Sequence, residues 1–183
     1  IPGSPLSYWV PQNLRALYDS ETVINARNAK VDRKSFSAAA VGIETGKDDR
    51  FLRNFWEVST DENEWVPFAK GGEDTWAIPR VNLSIIWNRN GKEVRRYDGG
   101  NGTPNERHYF KGGLTYNRVK TGGKRFGLLH SYSIFSDKGP VLIPEEDRWQ
   151  ALAYLNSTLV TYLVLCQTPE RMWEMGEVAK LPW

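Results

Sequence analysis

The sequence predicts an α+β fold, a mostly antiparallel, twisted β-sheet followed by a C-terminal pair of helices. Between Phe55 and Phe135 the chain runs in short segments rich in aromatic and β-branched residues, punctuated by Gly, Asn and Asp, which is the composition of strands and turns. After Pro144 it changes to the glycine-free runs EEDRWQALAYLN and TLVTYLVLCQ. Strands and helices are thus segregated along the chain rather than alternating, the mark of α+β architecture. At 183 residues there is room for one domain with a real core.

The opening IPGSPLSYWVPQ carries three prolines and reads as an extended connector. Residues 1–12 are therefore expected to be a linker and 13–183 a single domain. Asn13 to Asp19 reads as a short helix with Asn13 as N-cap and Leu14, Leu17 and Tyr18 on one face. Thr22 to Phe36 is polar and weakly patterned. Ala38 to Val41 reads as a buried strand. Phe55 to Val58 and Glu64 to Phe68 follow as aromatic strands around the polar turn Ser59 to Asn63. Ile78 to Trp87 predicts another strand. Asn90-Gly91 then predicts a tight hairpin into a strand over Lys92 to Tyr97, because both turn positions need φ > 0. Asp98 to Asn105 is expected to be a flexible loop.

Leu128 to Phe135 alternates as a strand, closed by Lys138-Gly139-Pro140. Pro144 precedes a predicted helix with three carboxylates in its first turn, where the helix dipole favours them; Trp149, Leu152, Ala153 and Leu155 form its apolar face. Ser157 is expected to cap a second helix, apolar nearly all round and so buried. Thr168-Pro169 ends it, and WEMGEVAKLPW reads as a terminal loop.

The net charge of +2 hides an asymmetry. Glu106 to His130 holds six Lys/Arg against one Asp/Glu, while Val141 to Trp183 holds three against six. A basic middle beside an acidic end is the pattern of a protein with one anion-facing surface. The single cysteine, Cys166, reads as a small buried apolar residue, and with two distant histidines it cannot build a zinc site. The longest apolar run falls short of the roughly 20 residues a membrane span needs, and no signal peptide is visible; a reducing cytoplasm fits. The chain begins Ile-Pro-Gly rather than Met, which leads to the expectation of a longer parent.

The most suggestive stretch is YFKGGLTYNRVKTGGKRF, Tyr109 to Phe126, with five cations and four glycines. It is not a P-loop, since Gly123-Lys124 is followed by Arg125 rather than Ser or Thr and no helix pattern begins there. No Gly-x-Ser-x-Gly elbow and no metal-binding carboxylate set is apparent. Duplex nucleic acid suits the stretch better. Lys111, Arg118, Lys120, Lys124 and Arg125 can neutralise phosphates. Gly112 and Gly113 allow close approach, and Thr115, Tyr116 and Asn117 can bond to base edges or sugar. Lys70-Gly71-Gly72 echoes Lys111-Gly112-Gly113 and suggests two loops presented alike. The alternative is a solvated basic hairpin.

Taken in order, IPGSPLSYWV, GIETGKDDRFLRNFWEV, WVPFAKGG, SIIWNRNGKEV, NERHYFKGGLTYNRV, SIFSDKGPVLIP, LAYLNSTLVTYLV and MGEVAKLPW resemble the C-terminal target-recognition region of large bacterial adenine-specific DNA methyltransferases of the BREX phage-defence type. Fused restriction–modification enzymes carry similar regions. The resemblance implies that catalysis belongs to an N-terminal domain that binds S-adenosylmethionine and carries an Asn-Pro-Pro-Tyr-type motif absent here. This chain would then have no catalytic residue, metal or cofactor of its own.

By resemblance Gly42, Thr45 and Gly46 fit a Gly-x-x-Thr-Gly turn lying close to DNA. Lys47-Asp48 follows it where the family often carries Asp-Asn. Lys70 to Gly72 and Lys111 to Tyr116 fit two glycine-turn motifs, and Leu155 to Ser157 opens a supporting helix. Asn117, Arg118 and Arg80 are expected to read base edges. The expected function is recognition of double-stranded DNA for adenine methylation. The expected partners are DNA, the N-terminal methyltransferase domain and other defence subunits. The rival from another class is a protein-interaction module that docks a partner subunit or an inhibitor through the aromatic-rich surface.

Overall fold

The computed structural model of the chain describes residues 10–59, 64–71, 77–119, 125–168 and 172–183. Most of the expected linker and of the turn after Ser59 lie outside the described residues. The first half contains α1 (Gln12–Ala16), β1 (Thr22–Val23), α2 (Ala26–Ala29), β2 (Lys34–Ser35), β3 (Ser37–Ala40), α3 (Asp48–Phe51), β4 (Leu52–Asn54), β5 (Trp65–Ala69), β6 (Leu83–Ile86) and α4 (Asn88–Arg96). The second half contains β7 (Gly113–Tyr116), β8 (Phe126–Leu129), β9 (Ile134–Phe135), β10 (Val141–Pro144), α5 (Arg148–Leu155), α6 (Thr158–Gln167) and α7 (Met175–Ala179).

The α+β class is as expected, but the strands form two four-stranded sheets rather than one, with a two-stranded parallel pair β1-β2 beside them. The first sheet has the order β3-β10-β7-β8, antiparallel throughout. The second has the order β4-β6-β5-β9, antiparallel except for the parallel pair β5-β9.

Strand alternation sets the layers. On β7, Leu114 and Tyr116 enter one core with Phe126 of β8, Leu142 of β10 and the apolar faces of α5, α6 and α7. On the opposite face Ala40, Leu129 and Val141 enter a second core with Phe51, Phe68, Ile85, Ile134 and Phe135. The first sheet is therefore a central layer between the C-terminal helices and the second sheet.

Several elements differ from expectation, each for a local reason. Phe55 to Glu57 is a 3-10 turn, not a strand, because Asn54 and Glu57 close a capping box around it that outweighs aromatic β-propensity. Positive φ is present at Asn90 and Gly91, but Arg89 also adopts it. Three left-handed residues turn the chain into the helical end of α4, and no hairpin strand follows. Leu128 to Phe135 is split between β8 and β9, which join different sheets; the Ser133 hydroxyl donates to the His130 carbonyl (2.9 Å) and closes the intervening turn. The loop over 98–105 is tied down, with Asn101 donating to the Gly42 carbonyl and Asn105 to that of Val41.

α1 begins one residue before Asn13, which does not cap it. The carboxylates Glu145 to Asp147 precede α5 rather than forming its first turn. Trp149 is 70% exposed, so Leu152 and Leu155 carry that face. Ser157 caps α6 as expected, accepting from the Val160 amide. Leu159, Tyr162 and Leu165 of α6 are nonetheless exposed, and Cys166 is half-buried.

The terminal stretch is structured as α7, and its aromatics close the core. Trp183 stacks on Phe36 with centroids 3.6 Å apart, and Trp173 is buried against Phe126. Trp173→Ala is expected to destabilise the fold by about 4 kcal/mol, the usual cost of emptying a buried aromatic site. A fall in the urea unfolding midpoint without a change in slope would show it.

Candidate nucleic-acid interface

One cleft, between the two sheets, gathers five of the expected site residues: Lys70, Gly71, Arg80, Thr115 and Asn117. Alternation along β7 sends Tyr116 into the helix-side core and leaves Thr115, and beyond the strand Asn117, on the other face. There they meet the end of β5 and the segment before β6. The resulting cleft, about 80 Å³, is lined by Phe68, Ala69, Lys70, Gly71, Pro79, Arg80, Asn82, Leu83, Thr115 and Asn117. Its lining has two cations, two amides and no carboxylate. Thr115 is a floor residue whose hydroxyl donates to the Gly139 carbonyl (3.2 Å), while Arg80 and Asn82 are exposed at the rim.

A second cleft, about 220 Å³, adjoins the first through Phe68 and Lys70 and brings in Thr45, Gly46, Asp48, Asp137 and Lys138. The Ser136 hydroxyl donates to the Lys70 carbonyl, and the Lys70 ammonium is paired with Asp48. Thr45 also donates to the Asp48 carboxylate. Burial pushes the Asp48 carboxyl up, but the hydrogen bonds from Lys70 and Thr45 and the charges of Lys70 and Lys138 outweigh it. They hold the group below the ordinary carboxylate range.

Gly46 has φ +67°, and a Cβ there would lie 1.9 Å from the Gly99 carbonyl oxygen. Its lack of a side chain is thus required by its own chain, whatever lies outside. Lys47 stands exposed at the start of α3.

The two Lys-Gly turns are not presented alike. Lys70-Gly71 follows β5 and sits beside Ser136, after β9. Lys111-Gly112 precedes β7 and sits beside Ser131 to Ser133, before β9, where the Phe110 amide donates to the Ser133 carbonyl (3.3 Å). The turns lie at opposite ends of β9, and Lys111, although exposed, is away from the Lys70 cleft. Gly112 and Gly113 are buried. A Cβ on Gly113 would lie 2.4 Å from the Leu142 carbonyl oxygen, so this glycine serves strand packing.

Three more expected contact residues are turned inward. Tyr116 is fully buried, and desolvation drives its phenol well above the ordinary range. Arg118 pairs with Glu174 (2.6 Å) and Asp137 (3.8 Å), and the hydrogen bond to Glu174 raises its pKa further. Arg125 is only 9% exposed. Its guanidinium lies 3.8 Å from the Trp173 ring centroid and donates to the Asn117 carbonyl (3.0 Å); burial lowers its pKa to about 10. Both arginines brace the ends of β7 and β8. Gly72, Lys120 and Lys124 lie outside the described residues.

Sequence reasoning missed Asn82 and Lys138, and also a third, larger cleft of about 780 Å³ that includes Arg50, Arg89, Lys92 and Arg96. The available signal was the i, i+4 spacing of Lys92 and Arg96, which shares a face only on a helix. Among the described residues no group of His, Cys, Asp and Glu could hold a metal ion, and no helix is long and apolar enough to cross a membrane.

A cleft free of carboxylates on an α+β scaffold defines a candidate anion-binding surface. No protein-family model matches the chain. The full length of the chain is similar, at 27% identity over 195 residues, to part of the adenine-specific methyltransferase BrxX of Escherichia coli O9:H4 (strain HS). The chain spans 15% of the length of that relative.

The depressed Asp48 carboxyl makes a pH prediction. A carboxylate held below its unfolded value adds stability that is present above the ordinary carboxylate range and is lost as pH falls through the folded value. The parent chain and Asp48→Asn should therefore differ in stability at neutral pH and converge in strong acid. Unfolding curves measured across the acid range check this; a constant difference down to the lowest pH would contradict it.

Proposed function

We propose that this chain is a DNA-recognition part of an adenine-specific methyltransferase. In this reading it holds a duplex while the chemistry and the S-adenosylmethionine belong to another part of a larger protein. The observation that carries the reading is the convergence of Lys70, Gly71, Arg80, Thr115 and Asn117, from separate segments, on one cleft whose lining has no carboxylate. The similarity to a small part of an adenine-specific methyltransferase supports the parent activity.

In this reading Lys70 and Arg80 contact phosphates and set register. Asn82, exposed at the rim, carries the amide geometry that pairs with adenine edges, above the buried Asn117 of the floor. Asp48 holds Lys70 in place and competes with DNA for it. Base flipping into a catalytic pocket is then the task of the methyltransferase part.

A second reading, docking of a protein partner, is favoured by the exposed Leu159, Tyr162 and Leu165 on α6. The two separate cleanly. The double variant Lys70→Ala/Arg80→Ala is expected to weaken binding of a labelled duplex at least about tenfold. It should also make the slope of log affinity against log salt shallower by about 2, one phosphate contact for each cation. Asp48→Asn is expected to strengthen binding. No binding by the parent chain even at low salt, or binding indifferent to salt, contradicts the DNA reading.

A further inference from the structure

The cleft beside α4 has no assigned role, and its side chains are arranged for one. Arg89, Asn90 and Gly91 turn the chain with φ of 45°, 57° and 70°. The helical end of α4 then places Lys92 and Arg96, four residues apart, on one face. Arg95 points elsewhere, where its guanidinium donates to both Glu106 carboxylate oxygens (2.9 and 2.8 Å). Arg89, Lys92 and Arg96 make no ion pair among the described residues, and all three line the cleft of about 780 Å³.

Arg50 reaches the same cleft from α3, with its guanidinium 5.1 and 5.5 Å from the ring centroids of Phe51 and Tyr97, so aromatic faces hold it in place. Glu64, Glu93 and Asp98 complete the charged lining, giving four positive groups against three negative. Arg89, Lys92 and Arg96, with no ion pair among the described residues, are free to meet successive phosphates of a nucleic-acid backbone.

Helix α3 contributes a residue to this cleft and another to the candidate interface. Asp48 lines the cleft that contains Lys70, and Arg50, two residues along α3, lines this one. We infer that the α4 cleft is a second seat for the DNA duplex, taking the sugar–phosphate backbone beyond the stretch held at Lys70 and Arg80. This rests on the DNA-recognition reading above.

The test is a titration of labelled duplex DNA against salt with four variants of the whole chain: Arg89→Ala/Lys92→Ala/Arg96→Ala, Lys92→Ala alone, Lys70→Ala/Arg80→Ala, and the control Arg148→Ala on α5. The triple variant is expected to bind at least about tenfold more weakly, with a salt slope shallower by about 2–3. Lys92→Ala alone should flatten the slope by about 1 with an unchanged melting curve, so loss of binding cannot be laid to misfolding. If the parent chain binds, Lys70→Ala/Arg80→Ala weakens it, and both α4 variants keep parental affinity and slope, the inference falls and the DNA reading stands. If the parent chain does not bind at low salt, both fall.

Discussion

Everything that positions the candidate interface depends on a central sheet buried on both faces. Its strands cannot alternate apolar-in and polar-out as a half-exposed antiparallel sheet does. Leu114 and Tyr116 must satisfy the helix side, and Ala40, Leu129 and Val141 the second sheet. Where β7 runs past the end of the second core, Thr115 and Asn117, both buried, form the floor of a cleft. A one-residue slip in the pairing of β7 with β8 and β10 would exchange Tyr116 for Thr115 and destroy both core and cleft. The packing against α5, α6 and α7 makes such a slip costly.

The same constraint sorts the basic residues. A guanidinium near a core must find partners or lose hydration at considerable cost. Arg118 finds Glu174 and Asp137, and Arg125 lies on Trp173 with the Asn117 carbonyl as acceptor. These two spend their charge inside the fold. Lys47, Arg80 and Lys111 remain exposed, and Lys70 sits between the two groups, paired with Asp48 at the meeting of two clefts. The basic middle of the sequence is thus partly internal bracing, and its local charge overstates what faces outward.

Much of the fold was legible in the sequence. The aromatic segments around β5 and β6, the Ala-rich β3, the Ser157 cap and the apolar α6 follow from propensity and capping chemistry alone. What failed did so where local patterns compete. Asn90-Gly91 carries the turn chemistry of a hairpin, and only the added left-handed Arg89 turns it into a helix entry. Alternation over Leu128 to Phe135 is real, yet it conceals a crossing between sheets that no periodicity reports. For the candidate site, residue type singled out Lys70, Arg80, Thr115 and Asn117, which the fold brings to one cleft. It could not tell that Tyr116 faces inward, because that depends on which sheet face the helices cover. Glycines chosen as loops near DNA, Gly46 and Gly113, are explained by contacts within the chain.

Hydrogen–deuterium exchange of the chain with and without a duplex tests the central claim most directly. Slowed exchange at 69–71 and 80–83 on adding DNA, with α6 unaffected, is the result this structure predicts. Protection confined to α6, or to the turns at Phe110 and Tyr132, with the Lys70 cleft unchanged, would contradict it.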